Sequence, residues 1–252
     1  MKNIIKNYHF TGRTKEHNGV ILKQIECEKY GVGGWIESEK NLSQKGTCWV
    51  YNDAMVYGDA VVRGSAEVSF RAEVYGNASV SGYAKVRDHV KVRDNAKIYG
   101  AASLYGCALV CCEARVYGCA YVGGCAKVGH FTQVRGYAVV FGNAKIMGSA
   151  IVTDGARVYD DAVVCSFSKV RSCASVSGNS TVSGNATVSG DAKIYGNACV
   201  SDDAVVAGDA KVHDKAYVAG SAVLYGKANA AGKAYVKSGE YYKSNIKYNT
   251  YE

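Results

Sequence analysis

A single register runs through most of this chain. Starting at Val50 and stepping by six, every position through Val236 is Val except Ile98, Leu104, Ile146, Ile194, Leu224 and Ala230. Four residues after each of these, from Ala54 to Ala234, stands Ala, the exceptions being Val90, Thr132, Ser168 and Ser180. A helix needs apolar spacings of three and four, and an ordinary sheet loses its alternation at turns of varying length. An uninterrupted period of six is therefore the signature of a solenoid. The unit reads V-x-G-x-A-x, as in Val74-Tyr75-Gly76-Asn77-Ala78-Ser79. Ala and the following Val are two apart, so they share the inner face of a short strand, and the residues flanking Val point outward. The two remaining positions form a corner of Gly or Asp followed by a small or polar residue, types that accept left-handed or tight-turn backbone.

The period predicts an all-β chain in which each amide pairs with the coil above or below. That explains why the 252 residues contain no Pro, where average usage predicts roughly a dozen. Ile36 and Leu42 keep the spacing of six, while Leu42 and Val50 are eight apart, so two extra residues belong near Gln44-Lys45. The expected organisation is an N-terminal cap over residues 1–35, a β-helix over 36–237 and a C-terminal cap or tail over 238–252. In the cap, Tyr8-His9-Phe10 and the stretch from Gly19 to Ile25 read as extended segments covering the open end.

The stretch Gly33-Gly34-Trp35-Ile36-Glu37-Ser38-Glu39, followed by Asn41-Leu42-Ser43 and Cys48-Trp49-Val50 and then by V-x-G-x-A-x units, resembles the YdcK-like hexapeptide-repeat proteins of bacteria and their phages. The resemblance covers nearly the whole chain. It implies a left-handed parallel β-helix in which three units make an 18-residue triangular coil, hence about eleven coils stacked about 4.8 Å apart. It also brings a putative-transferase label, borrowed from hexapeptide acyltransferases by fold, and fold does not carry function.

Those enzymes typically use a His base in a cleft between subunits, with a loop escaping from a coil. No inserted loop interrupts the register between Val50 and Val236, and the residue after each aliphatic position is usually Tyr, Ser or Arg. His89 and His130 fall at corners and His213 on a flat face, with no carboxylate partner identifiable from spacing. An acyltransferase using His89 or His130 is thus the alternative reading, and a solvated surface role is the expectation for each His.

With residues 18 apart as neighbours, His89, Cys107 and Cys125 form one corner column, and Cys112 lies directly below His130 in another. Three rungs span about 9.6 Å, too far for ready convergence on a zinc ion, so neither a metal nor another cofactor is expected. Cys111, Cys119, Cys165, Cys173 and Cys199 read as scattered outward positions. Ten Cys without a secretory signal suggest free thiols. The first seven residues are too polar for a signal segment, and no apolar run approaches the ~18 residues of a membrane span. The expected location is therefore cytoplasmic.

The net charge of +8 gains meaning once the charges are placed. Outward flat-face positions from Trp49 to Lys237 carry 16 Lys or Arg against two acids, Glu67 and Glu73, whereas corners carry 13 acids against Arg71, Lys215, Lys227 and Lys233. Corner Asp caps tight turns. One face holds Arg63, Lys97, Tyr99, Arg115, Tyr117, Arg135, Lys169 and Arg171 with no acid among its positions in that span. Basic residues interleaved with aromatics suit a polyanion, either nucleic acid or an acidic protein surface. The competing explanation is that the charges only keep a flat β-surface soluble. A second face holds Tyr105, Tyr121, Val139, Phe141 and Tyr159 with Arg157 at the margin, the composition of an interface, whether with a foreign partner or with another copy in a dimer or trimer. The positive charge argues against DNA mimicry, and no continuous two-column Thr array supports ice binding. The reading is a non-enzymatic, rigid binding protein, with a phage-encoded inhibitor of a host defence component as a special case implied by the resemblance.

Overall fold

The computed structural model describes residues 8–247, so the polar N-terminal seven residues and the last five of the C-terminal tail lie outside the described part. The chain divides into two units, Met1–Gly124 and Cys125–Glu252. Both are parallel β-helix. No helix among the described residues is long and apolar enough to cross a membrane.

In the first unit, β1 (His9–His17) and β2 (Val20–Cys27) form an antiparallel hairpin, and β2 pairs antiparallel with β3 (Gly31–Ile36). A single 3-10 turn follows at Glu39–Asn41. From there the chain makes two-residue strands, one per hexapeptide, sorted into three families. The hairpin-side family continues β3 with Met55–Val56, Glu73–Val74, Lys91–Val92 and Leu109–Val110. The basic family holds Leu42–Gly46, Val61–Gly64, Ser79–Val80, Lys97–Ile98 and Arg115–Val116. The aromatic family holds Trp49–Val50, Glu67–Val68, Lys85–Val86, Ser103–Leu104 and Tyr121–Val122. Register partners are 18 residues apart, as with Lys97 opposite Arg115 and Ile98 opposite Val116. The offset is 20 between Ile36 and Val56, and the irregularity lies between Leu42 and Gly46, where the two extra residues were expected.

The second unit repeats the arrangement without interruption from Lys127–Val128 to Tyr235–Val236, again at a spacing of 18. Pairing then continues past the last hexapeptide: Glu240–Tyr242 pairs with Val223–Tyr225, and Asn245–Ile246 with Asn229–Ala230. Among the described residues each family has twelve coil strands; the hairpin-side family reaches twelve within the register from Ile36 to Val236, and the other two gain one strand beyond it. These two extra strands come from a segment that lacks the V-x-G-x-A-x pattern but still offers Ile246 to the interior, where it is 6% exposed.

The core is the expected pair of columns. Val56, Ala60, Val62 and Ala66 in the first unit and Val170, Ala174 and Val176 in the second are fully buried. Around each coil the amides are committed: the Lys97 N–H donates to the Ala114 carbonyl at 2.9 Å and the Tyr99 N–H to that of Val116 at 3.0 Å. A Pro at such positions would delete a ladder bond.

Corners adopt the left-handed conformation. Gly82, at φ +71°, shows why Gly is favoured, since a Cβ there would stand 2.7 Å from the Gly100 carbonyl oxygen. Where Asp replaces Gly, its carboxylate ties the corner to the next coil. Asp88 accepts from the Gly106 N–H at 2.8 Å, Asp160 from that of Gly178 at 3.0 Å and Asp214 from that of Gly232 at 2.9 Å. The Asp residues at the left-handed corner position are thus a set of acceptors for corner amides one coil further on. That hydrogen bonding offsets the cost of left-handed backbone at a residue with a Cβ.

The β1–β2 hairpin also reaches along the outside of the first unit. Leu22 is fully buried against Met55 and Tyr57, with Val20, Trp35 and Tyr75 around them. At the open end, Tyr8 packs edge-on against Trp49 and its hydroxyl donates to the Leu42 carbonyl at 2.9 Å.

Candidate binding faces

On the basic face of the first unit, Lys97 and Arg115 are direct register partners and both are exposed, as is Arg63. The parallel ladder brings Tyr99 and Tyr117 into the same relation, and their rings stack with centroids 4.7 Å apart and planes within 6°. Lys97 and Arg115 line a groove of about 290 Å³ with Asn77, Asn95 and the corner residue Glu113. The Asn77 amide donates to Asn95 Oδ1 at 3.2 Å. On the corresponding strands of the second unit, Lys169 and Arg171 flank inward Val170 and are both exposed, and Arg135 is half-buried. Past Val223, Glu240 takes a register position opposite that residue, so the second unit does carry one acid on these strands, beyond the span considered from sequence.

In the first unit the other two faces handle their charges differently, whereas in the second Lys127–Lys145 and Lys193–Lys211 are also register-paired cations with no ion pair among the described residues. Glu67 lies 3.8 Å from Lys85 and 3.7 Å from Arg87, one coil on. Glu73 lies 3.1 Å from Lys91, and Arg93 is 3.3 Å from Asp94. Both face acids therefore have basic neighbours. Among the described residues, no ion pair engages Arg63, Lys97, Arg115, Lys169 or Arg171. Like charges at directly paired ladder positions repel, typically by a few tenths of a kcal/mol up to about 1, and the Lys97–Arg115 pair bears that repulsion with no ion pair to either residue, although Glu113 lines the same groove.

The aromatic face also forms clusters within each unit. In the first, the Tyr105 and Tyr121 rings are 4.1 Å apart and line a groove of about 510 Å³ that includes Lys85, Arg87 and exposed Phe70. A Cβ at Gly123 would overlap the Tyr105 ring, so Gly123 leaves the space in which this side chain lies flat. In the second, Phe141 and Tyr159 stack with centroids 5.4 Å apart, and the Tyr159 hydroxyl and Ser175 Oγ are hydrogen bonded at 3.2 Å. That bond, with one from Ser177, holds the Tyr159 hydroxyl pKa below its ordinary value. Val139 is half-buried and Arg157 exposed beside them.

The two His of the alternative reading have distinct settings. His130 sits at a left-handed corner, φ +60°, and its Nδ1 accepts from the Gly148 N–H at 3.2 Å, the role Asp performs at other corners. His89 is exposed in an open corner groove of about 470 Å³ with Arg71, Phe70 and Asn52. The carboxylate beside it, Asp88, is engaged with Gly106. A base needs an orienting partner and a water-excluding pocket to work well, and no ion pair engages His89 among the described residues.

One cluster escaped the sequence reading because it joins the aperiodic hairpin to a coil. Glu73, read only as a face acid, is 8% exposed beneath the hairpin tip, 3.2 Å from His17 Nε2, and accepts from the Tyr57 hydroxyl at 3.1 Å. Burial pushes its pKa up, but the hydrogen bonds from Lys91 and His17, the Lys91 charge and the Tyr57 hydroxyl together hold it below the usual value.

All ten Cys are free thiols. No family model matches this chain, and no curated protein matches it.

Proposed function

We propose that this chain is a non-enzymatic binding protein whose basic surfaces engage an acidic macromolecule, a nucleic acid backbone or an acidic protein face. The observation that carries the reading is the contrast between faces of the first unit: Lys97 and Arg115 are register partners with no ion pair among the described residues, beside the stacked Tyr99–Tyr117 pair, while Lys85, Arg87 and Lys91 have acidic partners. A rigid ladder loses little conformational entropy on binding, so shallow contacts sum effectively. The aromatic clusters at Tyr105–Tyr121 and Phe141–Tyr159 are the second contact surface, for the same partner or for another copy in a dimer or trimer.

The resemblance around Gly33–Ile36 to YdcK-like proteins of bacteria and phages supports a left-handed coil, a cytoplasmic setting and the special case of an inhibitor of a host defence component. Capture from host lysate, with and without nuclease, separates nucleic acid from acidic protein. A Lys97→Glu, Arg115→Glu double variant is expected to lose the partner and to elute from an immobilised polyanion at lower salt while keeping its circular dichroism. Unchanged retention by that variant would reduce the face to a solubility device.

The His89 groove supports a second reading, an acyltransferase acting at a subunit interface. Heat on titration with acetyl-coenzyme A, abolished by His89→Ala, would establish it over the first, and a silent millimolar titration retires it.

A further inference from the structure

The chain leaves the Leu109–Val110 strand at Cys111 and Cys112, whose side chains come together. Cys111 is the outward residue after Val110, and Cys112 occupies the left-handed corner at φ +61°. The corner turns its side chain toward that of Cys111, and the two Sγ atoms stand 3.6 Å apart. Asp94, at the same corner one coil earlier, accepts from the Cys112 N–H at 3.0 Å, which fixes its carboxylate beside the sulfurs. One ligand atom from each of the three residues lies within 4.8 Å of the others, and all three are half-buried.

We propose that Asp94, Cys111 and Cys112 form a three-ligand site for a thiophilic divalent cation of the zinc class. Two sulfurs held at about 2.3 Å by a tetrahedral ion are about 3.8 Å apart, close to the separation already present between Cys111 and Cys112. A small rotation of the Asp94 carboxylate supplies the third ligand, and the fourth position opens to water or an external donor. Two thiolates and a carboxylate balance a divalent ion together with the Arg93 guanidinium, which lies 3.3 Å from Asp94. Binding releases the two thiol protons to solvent and involves no redox step. Sulfur ligands select zinc or cadmium over magnesium or calcium.

The test is a titration of the reduced full-length protein with Cd²⁺, followed by thiolate-to-metal charge-transfer absorption and by calorimetry. One equivalent is expected, unaffected by excess Mg²⁺, with a rise in the thermal midpoint. Cys111→Ser and Cys112→Ser should each weaken binding at least tenfold, and the double variant should remove the tight equivalent and its absorption band. Asp94→Asn, which keeps an acceptor for the Cys112 N–H, should weaken it by roughly tenfold. Ser already occupies left-handed corners at Ser166, φ 64°, and Ser172, φ 61°, so Cys112→Ser is expected to fold. A tight equivalent that survives in the double variant assigns the ion to other thiols and overturns the proposal, as does the absence of any binding in the unaltered protein.

Discussion

Asp88 Oδ2 accepts a 2.8 Å hydrogen bond from the backbone N–H of Gly106, the residue at the same corner one coil further along. Asp88 itself is left-handed at φ 61°. Replacing it by Ala removes a charged acceptor and keeps the backbone cost of a Cβ, which should destabilise the fold by about 2–3 kcal/mol. Asp88→Gly loses the acceptor but relieves the backbone, so about 1 kcal/mol is expected. Asp88→Asn keeps an acceptor and should fall closest to the parent. Urea midpoints that rank Ala as mild as Asn would show that the corner carboxylate contributes nothing.

The hairpin is expected to loosen in acid through Glu73. Its pKa is depressed in the folded protein, so its contribution is fully present above the ordinary value of 4.5 and is lost as pH falls through the lower folded value. The groups facing it are His17 and Lys15 from β1, and Tyr57 and Lys91 from the coils. Glu73→Gln should cost about 1–3 kcal/mol at neutral pH and flatten the acid limb of the stability curve. Amide exchange in Val20–Cys27 that stays equally protected below pH 4 in the parent protein would contradict this.

Thr132 replaces Ala in the inner column, is fully buried, and its hydroxyl finds no partner among the described residues. Val90 shows that the column accepts a β-branched side chain of the same shape. Thr132→Val should therefore stabilise by about 1 kcal/mol, or roughly 2–4 °C in midpoint. Ser168, whose hydroxyl donates to the Cys165 carbonyl at 2.7 Å, is the control, and Ser168→Val should bring no such gain.

These cases also show what a period of six makes legible. Val and Ala columns, corner positions and the two extra residues before Val50 follow from counting, because each is a property of the repeat. The docking of His17 onto Glu73 does not, since β1 and β2 have no period to place them. Cys111 and Cys112 looked like unrelated outward and corner positions because their convergence depends on the left-handed backbone at Cys112. Glu67 could be matched to Lys85 by stepping 18 residues, but its reach to Arg87 is a matter of side-chain geometry. That Lys97 and Arg115 form no ion pair, although Glu113 lines the same groove, is likewise a matter of side-chain geometry.

Salt dependence gives the last test of the basic surface. If Lys97 and Arg115 neutralise phosphates, log affinity falls linearly with log salt, and each charge removed lowers the slope by about 0.7–0.9. Lys97→Gln and Arg115→Gln should therefore each flatten the plot for a nucleic acid ligand by about that amount, and the pair by about twice it. Tyr99→Ala should leave the slope nearly unchanged while weakening single-stranded binding by about 1–3 kcal/mol, the usual worth of a stacked base. The equivalent pair in the second unit, Lys169→Gln with Arg171→Gln, distinguishes one binding surface from two, because a ligand confined to the first unit leaves that slope intact. Parallel plots for all of these variants would exclude phosphate contacts and leave an acidic protein face as the remaining form of the proposal.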